Sequence, residues 1–220
     1  MNEGAFLLAV VWSGPPFCWR LHMGNPWDVT PWPKVGNAGH DELFLAVGKA
    51  LSNWELVENA IAGLFTRVTV GSYYAPTAPA IRAYSAVTNA SNRIQMVRAA
   101  LESWLHVWKD CPCGRNALDI LKECGEWAGR RNDIAHGIVD RVVDAPKHGW
   151  FLFPSFYNAK KRPLDDRPAY RYTAANIEYY SDRFEDLHNR LNEVSSILGE
   201  WHRIAASNIA SQALSKDGGA

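Results

Sequence analysis

The stretch DELFLAVGKALSNWELVENAIAGLFTRV (residues 41–68) decides the fold class. Within it Phe44, Val47, Leu51, Trp54, Val57, Ile61, Leu64, Phe65 and Val68 recur at intervals of three and four, which gathers them on one face of a helix. So long an apolar stripe needs partners to cover it, and the rest of the chain supplies them. Gly71 and the breakers of residues 73–79 end this first helix. A second is predicted from near Pro79, a residue suited to a first helical turn. It presents Ile81, Tyr84, Val87, Ile94, Val97, Leu101, Leu105 and Trp108 and stops before Cys111-Pro112-Cys113-Gly114. A third, from about Asn116, carries Leu118, Leu121, Cys124, Ala128 and Ala135 on one side.

Residues 137–172 lose the helical period. Ile138, Val139, Val142 and Val143, then Trp150 to Phe153, then Tyr170 to Tyr172, read as short strands separated by Pro146, Gly149 and Pro163. Thr173 is suited to cap the last and longest helix, whose stripe is Ile177, Tyr180, Phe184, Leu187, Leu191, Val194, Leu198, Trp201 and Ala205. The expected fold class is therefore all-α: an antiparallel four-helix bundle with a short β-like insertion before the last helix. The expected organisation is a Trp/Pro-rich arm over residues 1–38, a helical bundle over 39–207 with its insertion at about 137–172, and a flexible tail over 208–220. The arm holds Trp12, Trp19, Trp27 and Trp32 among five prolines, so it either packs along its own domain or forms a partner surface. Packing is the more frequent fate of so much apolar area.

Composition narrows the function classes. Of 220 residues 47% are apolar and 21% charged, the profile of an ordinary globular chain. Lysine and arginine (23) cancel aspartate and glutamate (23), so no overall field draws the chain to nucleic acid, and any such contact needs a local patch. The longest apolar run, from Ala5 to Trp12, is too short to span a bilayer and lacks the preceding basic residues of a signal peptide. Four cysteines at this length are no disulfide framework, which leads to the expectation of a cytoplasmic protein with reduced thiols and no membrane association.

The chemistry concentrates at the end of the third helix, in Gly129-Arg130-Arg131-Asn132-Asp133-Ile134-Ala135-His136-Gly137. A guanidinium, a carboxamide and an imidazole fall within six residues of Arg131, and Gly137 is placed to end the helix. Asn132 and His136, four apart, share a helical face, whereas Arg131 and His136 point about 140° apart on a regular helix. Both reach one cleft only if the helix loosens near Gly137 or the long arginine wraps round. Arg131 follows Cys124 and Ala128 at helical spacing, so its stem is expected to point toward the protein body, where a charge needs a partner or a cavity. Glu55 or Glu58 could supply that partner across the bundle, although an exposed helix edge is the commoner place for such carboxylates.

Arg131, Asn132 and His136, with small Ala135 before the histidine and Gly137 after it, resemble the signature of the HEPN superfamily of α-helical bundle proteins. The likeness extends loosely over residues 40–206 through helix number and motif placement. It implies a metal-independent RNA endonuclease without cofactor, acting as a homodimer with two motifs facing across the two-fold axis. Expected products are a 2′,3′-cyclic phosphate and a 5′-hydroxyl. The residue types suit that reaction. Histidine titrates near neutrality and can move the proton of the 2′-hydroxyl or of the leaving oxygen. Arginine offers a fixed fork of donors to phosphate, and Asn132 would orient the histidine or a phosphate oxygen. As in much of that family, a toxin or phage-defence role with an antitoxin or nucleotidyltransferase partner is implied. The tyrosine that some members carry two residues after the histidine, where such a partner acts, is Ile138 here. Many members are instead silent dimerisation, RNA-binding or protein-binding modules. In the plainest alternative, Arg131 and His136 merely close a helix end, where basic groups are favoured.

Two weaker signals remain. Residues 141–172 hold seven basic against three acidic residues, interleaved with aromatics, and Lys160, Lys161 and Arg162 are the candidate RNA contacts. A hairpin packed on the bundle with a solvated charged tip explains the same pattern equally well. Cys111, Cys113, Cys124, Cys18 and His22 match no familiar zinc spacing, so no metal site is expected and small apolar roles are assigned to the thiols.

Overall fold

The longest apolar stripes become the longest helices. The computed structural model describes residues 26–27, 31–70, 78–109, 111–144, 146–155 and 170–217. In chain order these form α1 (Asp41–Val70), α2 (Ala78–Ala86), α3 (Ala90–Val107), α4 (Gly114–Ala135), β1 (Ile138–Val142), β2 (Gly149–Phe153) and α5 (Ala174–Asp217). The described chain is thus mostly helical with one small two-stranded sheet. Helix α1 lies along α5 and also touches α3 and α4, while α4 contacts α3 and α5. The expected antiparallel order is corrected for the main pair: Asn53 meets Ser181, Leu56 meets His188 and Arg67 meets Gly199, so α1 and α5 run in the same direction. Helix α4 runs against α5, with Trp127 at Tyr180 and Glu123 at Arg190.

Helix α5 follows the sequence closely. Ile177, Tyr180, Phe184, Leu187, Leu191, Val194 and Leu198 are all buried, at the spacing their period predicts. Its start is fixed by a reciprocal cap: Thr173 N donates to Asn176 Oδ1 (3.0 Å), and Asn176 N to Thr173 Oγ1 (3.4 Å). Its end departs from expectation, because the helix runs past Ser207 to Asp217, through the part assigned to a flexible tail. Ala205, Ala206, Ala210, Ala213 and Leu214, strong helix formers, account for the extension.

On α1 the buried face is turned slightly from the predicted one. Leu43, Ala46 and Ala50 are buried while Phe44 is 56% exposed, and Val47 and Leu51 sit at the edge. The small Ala46 and Ala50 let α5 come close, and Asn53 Nδ2 donates to Ser181 Oγ (3.0 Å) across that seam. From Trp54 onward predicted and observed faces coincide, with Trp54 edge to face on Phe184 at 5.1 Å. The predicted second helix is in fact two. Asn89 adopts an extended backbone and its side chain accepts from Ser91 N (2.8 Å) and Asn92 N (3.3 Å), so capping chemistry restarts the helix there. Arg93 straddles the break, donating to Val87 O and to Glu58 Oε2 (2.9 Å).

The insertion is a hairpin in which Ile138 pairs with Phe153 and Val142 with Gly149. The third expected strand shrinks to one antiparallel bridge between Leu152 and Tyr172, with both hydrogen bonds at 2.9 Å. The described part of the arm packs on its own domain. Gly36 N donates to His148 O (2.8 Å), Asn37 and Trp150 exchange two bonds of 2.9 Å, and Arg171 N donates to Pro31 O (3.0 Å). Gly149, at φ 111°, makes the turn into β2 possible, and a Cβ on Gly36 would lie 2.5 Å from Trp150 O. Trp12 and Trp19 fall outside the described residues. Among the described residues no helix is long and apolar enough to cross a membrane.

Gly137 joins α4 to this hairpin at very close range. A Cβ there would sit 2.7 Å from Leu152 Cδ1 and 2.9 Å from Asp133 O, so backbone would have to yield. Gly137→Ala is therefore expected to destabilise the fold by about 1–3 kcal/mol in urea unfolding. Gly125→Ala, at a helical position whose Cβ meets open space, is expected to stabilise it by about 0.5–1 kcal/mol.

Candidate active site at the end of the fourth helix

The inward arginine is Arg130, not Arg131. Helix α4 buries Ala117, Ile120, Leu121, Cys124, Trp127, Arg130 and Ile134. Bulky Trp127, packed on Tyr180 (5.9 Å) and Phe184 (6.4 Å), selects this face, and Arg130 follows it three residues later. Arg131 is thereby turned to the rim. The expectation that its stem follows Cys124 and Ala128 into the body is corrected: Ala128 itself is only partly buried.

Arg130 is fully buried and heavily partnered. Its Nε and Nη2 donate to Pro26 O (3.0 and 2.9 Å), and Nη1 donates to the Tyr172 hydroxyl (2.6 Å). Asp133 Oδ2 lies 3.8 Å from Nη1 and accepts from the hydroxyls of Tyr170 (2.8 Å) and Tyr172 (2.9 Å). Trp27 covers the guanidinium at 4.0 Å, with the rings of Tyr170, Tyr180 and Tyr172 at 5.1, 5.4 and 5.7 Å. Burial first, and the Asp133 charge second, hold the Tyr172 hydroxyl well above the ordinary tyrosine value. It therefore stays protonated, accepting from Arg130 while donating to Asp133. Gly129 fits beneath this cage because a Cβ there would meet the Trp27 ring at 2.5 Å.

The motif side chains lie on the outside of the same helix end. Arg131 is half-buried, with Nη2 3.7 Å from Glu55 Oε1 and Nη1 donating to Asn132 Oδ1 (3.3 Å). Its Nε is shielded from solvent and makes no hydrogen bond among the described residues. Glu55 is largely exposed, so this pair is a surface contact; Glu58 instead binds Arg93 and Trp54 Nε1 (3.1 Å). Asn132 and His136 are both exposed and one turn apart, and the His136 amide still donates to Asn132 O (3.0 Å). His136 is the C-cap residue, at φ −110° and ψ 8°, so the helix does loosen where the histidine stands.

The basic–aromatic insertion divides. Phe151, Tyr170 and Tyr172 are core, and Arg171 is buried between Trp32 (4.8 Å) and Phe151 (4.4 Å) with Nε donating to Pro33 O (2.7 Å). These serve packing rather than RNA stacking. Lys160, Lys161 and Arg162 lie outside the described residues, as do Cys18 and His22. Among the described residues no group of three or more His, Cys, Asp or Glu side chains is placed to hold a metal. Sequence reasoning missed Arg130, Asp133, Tyr170 and Tyr172 as one unit; Trp127, three residues before Arg130, is the signal that points to it.

Compared with family models, with curated proteins and with solved structures, the chain matches none.

The two neighbouring arginines should separate sharply in stability. Arg130→Met strips a buried, hydrogen-bonded charge from Asp133 and is expected to cost about 3–5 kcal/mol in equilibrium unfolding. Arg131→Met removes a rim contact and is expected to change stability by less than about 1 kcal/mol. Equal losses would mean that the cage carries no special share of the stability.

Proposed function

We propose that this chain is a HEPN-type, metal-independent RNA endonuclease that works as a homodimer. In this reading α1, α3, α4 and α5 are the four helices of the bundle, α2 is an appendage of α3, and the hairpin is the insertion before the last helix. The observation that carries it is the exposure of Asn132 and His136, one turn apart beside Arg131, at a helix end held by a buried cage. A motif serving only as core would be covered.

Each group has a role that its surroundings allow. Arg131 exchanges its weak contact with the exposed Glu55 for a phosphate, presenting a planar fork to the charge that builds up in the transition state. Asn132 already holds that guanidinium through its oxygen, which leaves its amide group for a phosphate oxygen or the histidine. His136 moves a proton. One chain supplies one motif histidine, so a reaction needing a base and an acid is completed by a second copy across a two-fold axis. Exposed Ile138, 53% accessible two residues on, offers apolar surface for such a contact. The products are a 2′,3′-cyclic phosphate and a 5′-hydroxyl, and the biological setting is that of a toxin or phage-defence effector with an antitoxin or nucleotidyltransferase partner.

The second reading is a silent dimerisation or binding module. It is favoured by one observation, the engagement of Arg131 by Glu55 and Asn132 while the other arginine is sealed in the cage.

Incubation of the purified full chain with total RNA in EDTA separates the two. The endonuclease cleaves, leaves cyclic-phosphate ends, and loses about a hundredfold or more of its rate in His136→Ala without loss of fold. Arg131→Lys keeps the charge but not the fork, and should lose turnover far more than RNA affinity. A mixed dimer of wild-type and His136→Ala chains should fall far below half activity if both histidines serve one cleft. Absence of cleavage across varied RNAs by a well-folded dimer would favour the module.

A further inference from the structure

A second chemical site lies at the opposite end of α4, independent of the ribonuclease reading. The turn Cys111-Pro112-Cys113 leads into Gly114, the first residue of that helix. Cys111 Sγ and Cys113 Sγ stand 3.4 Å apart, with no disulfide between them. The two thiols are not equivalent. Both are buried, but Cys111, 7% exposed, lines an open cavity of about 560 Å³, whereas Cys113 has no exposed surface and does not line it.

The cavity lining carries a basic excess. Arg98, Lys109, Arg115 and Lys122 line it against the single acid Asp119. Arg98 and Lys122 have outward partners in Glu102 (2.9 Å) and Glu126 (3.7 Å), while Lys109 and Arg115 make no ion pair among the described residues. Gly114 also closes the site from behind, since a Cβ there would lie 2.2 Å from Leu105 Cδ2, which holds the turn against α3. A thiol residue on a cavity wall, a fully buried thiol behind it, and a cationic approach are the parts of a thiol–disulfide exchange centre.

We propose that Cys111 and Cys113 form a reactive dithiol that exchanges with anionic low-molecular-weight disulfides entering this cavity. The Cys111 thiolate attacks one sulfur of the incoming disulfide; its S–S bond breaks and the first thiolate leaves. Cys113 gives up its proton to a departing thiolate and attacks the Cys111 sulfur, expelling the second. The two protein thiols lose two electrons and two protons, and the incoming disulfide becomes two thiols. The protein sulfurs need only close from 3.4 Å to the covalent separation of about 2.05 Å. Protonation is arranged for this order. The Cys113 S–H donates to Cys111 and, with the Cys113 and Gly114 backbone N–H groups, outweighs burial to bring the Cys111 thiol down to about 7; the same pairing and burial push Cys113 up.

The test uses the reduced full chain, glutathione disulfide as the anionic probe, and cystamine as a cationic probe of the same reactivity class. Intact mass should show loss of two hydrogens, mapped by peptide analysis to a Cys111–Cys113 disulfide, with two thiols released per chain. Cys113→Ser should stop at a mixed disulfide on Cys111. Glutathione disulfide should react at least about tenfold faster than cystamine, and Lys109→Gln with Arg115→Gln should erase that preference. Cys111 left unmodified in the wild-type chain, a mixed disulfide that never resolves, or equal rates for the two probes would each overturn the proposal.

Discussion

The buried guanidinium of Arg130 organises one end of this molecule. Arg130 has no exposed surface, and a charge in that position persists only if hydrogen bonds and opposite charge replace water. Its replacements come from four separate parts of the chain. Pro26 belongs to the arm, Asp133 to α4 itself, Tyr170 and Tyr172 to the segment after the hairpin, and Tyr180 to α5. None of these segments can move far without breaking a bond to Arg130 or uncovering it. Tyr172 extends the constraint, because its backbone pairs with Leu152 while its hydroxyl bridges Arg130 and Asp133. The hairpin is thus tied to the helix end through a residue that belongs to neither.

The candidate site gains its geometry from this arrangement. Arg131, Asn132 and His136 are rim residues, each one or a few positions from a group locked in the cage. A rigid layer beneath exposed side chains fixes where they stand. The charge of the cage itself is covered by Trp27 and by the tyrosines. Division of labour between adjacent arginines follows: one holds the helix end, the other is free to exchange partners.

Much of the helical framework was legible in the sequence, and the reasons for success and failure are specific. The α5 stripe from Ile177 to Leu198 was read correctly because its apolar residues are large and evenly spaced, and Thr173 because cap chemistry is local. The N-terminal half of α1 was read one residue off, since Ala46 and Ala50 are buried for their small size and an apolar scan favours Phe44. The break at Asn89 was hidden by an apolar spacing that continues across it. The Arg130 cage was not legible, because Pro26, Tyr172 and Tyr180 are distant in sequence and only the packing of Trp127 chooses between two consecutive arginines. The strand-like segments were found, yet their pairing with residues 31–38 was not, since isolated bridges leave no periodic trace.

Native-state amide hydrogen exchange on the wild-type chain and on Arg130→Met tests most directly whether Arg130 holds the arm, the hairpin and the end of α4 together. Among the amides that join these parts are those of Gly36, Asn37, Leu152, Arg171 and Tyr172. If the buried guanidinium is the common anchor, all five lose protection together in Arg130→Met, while the amides of Trp54 to Leu64 and of Phe184 to Leu198 remain protected. If those five amides keep wild-type protection once the guanidinium is gone, the anchor lies elsewhere and the cage is only one packed cluster among several.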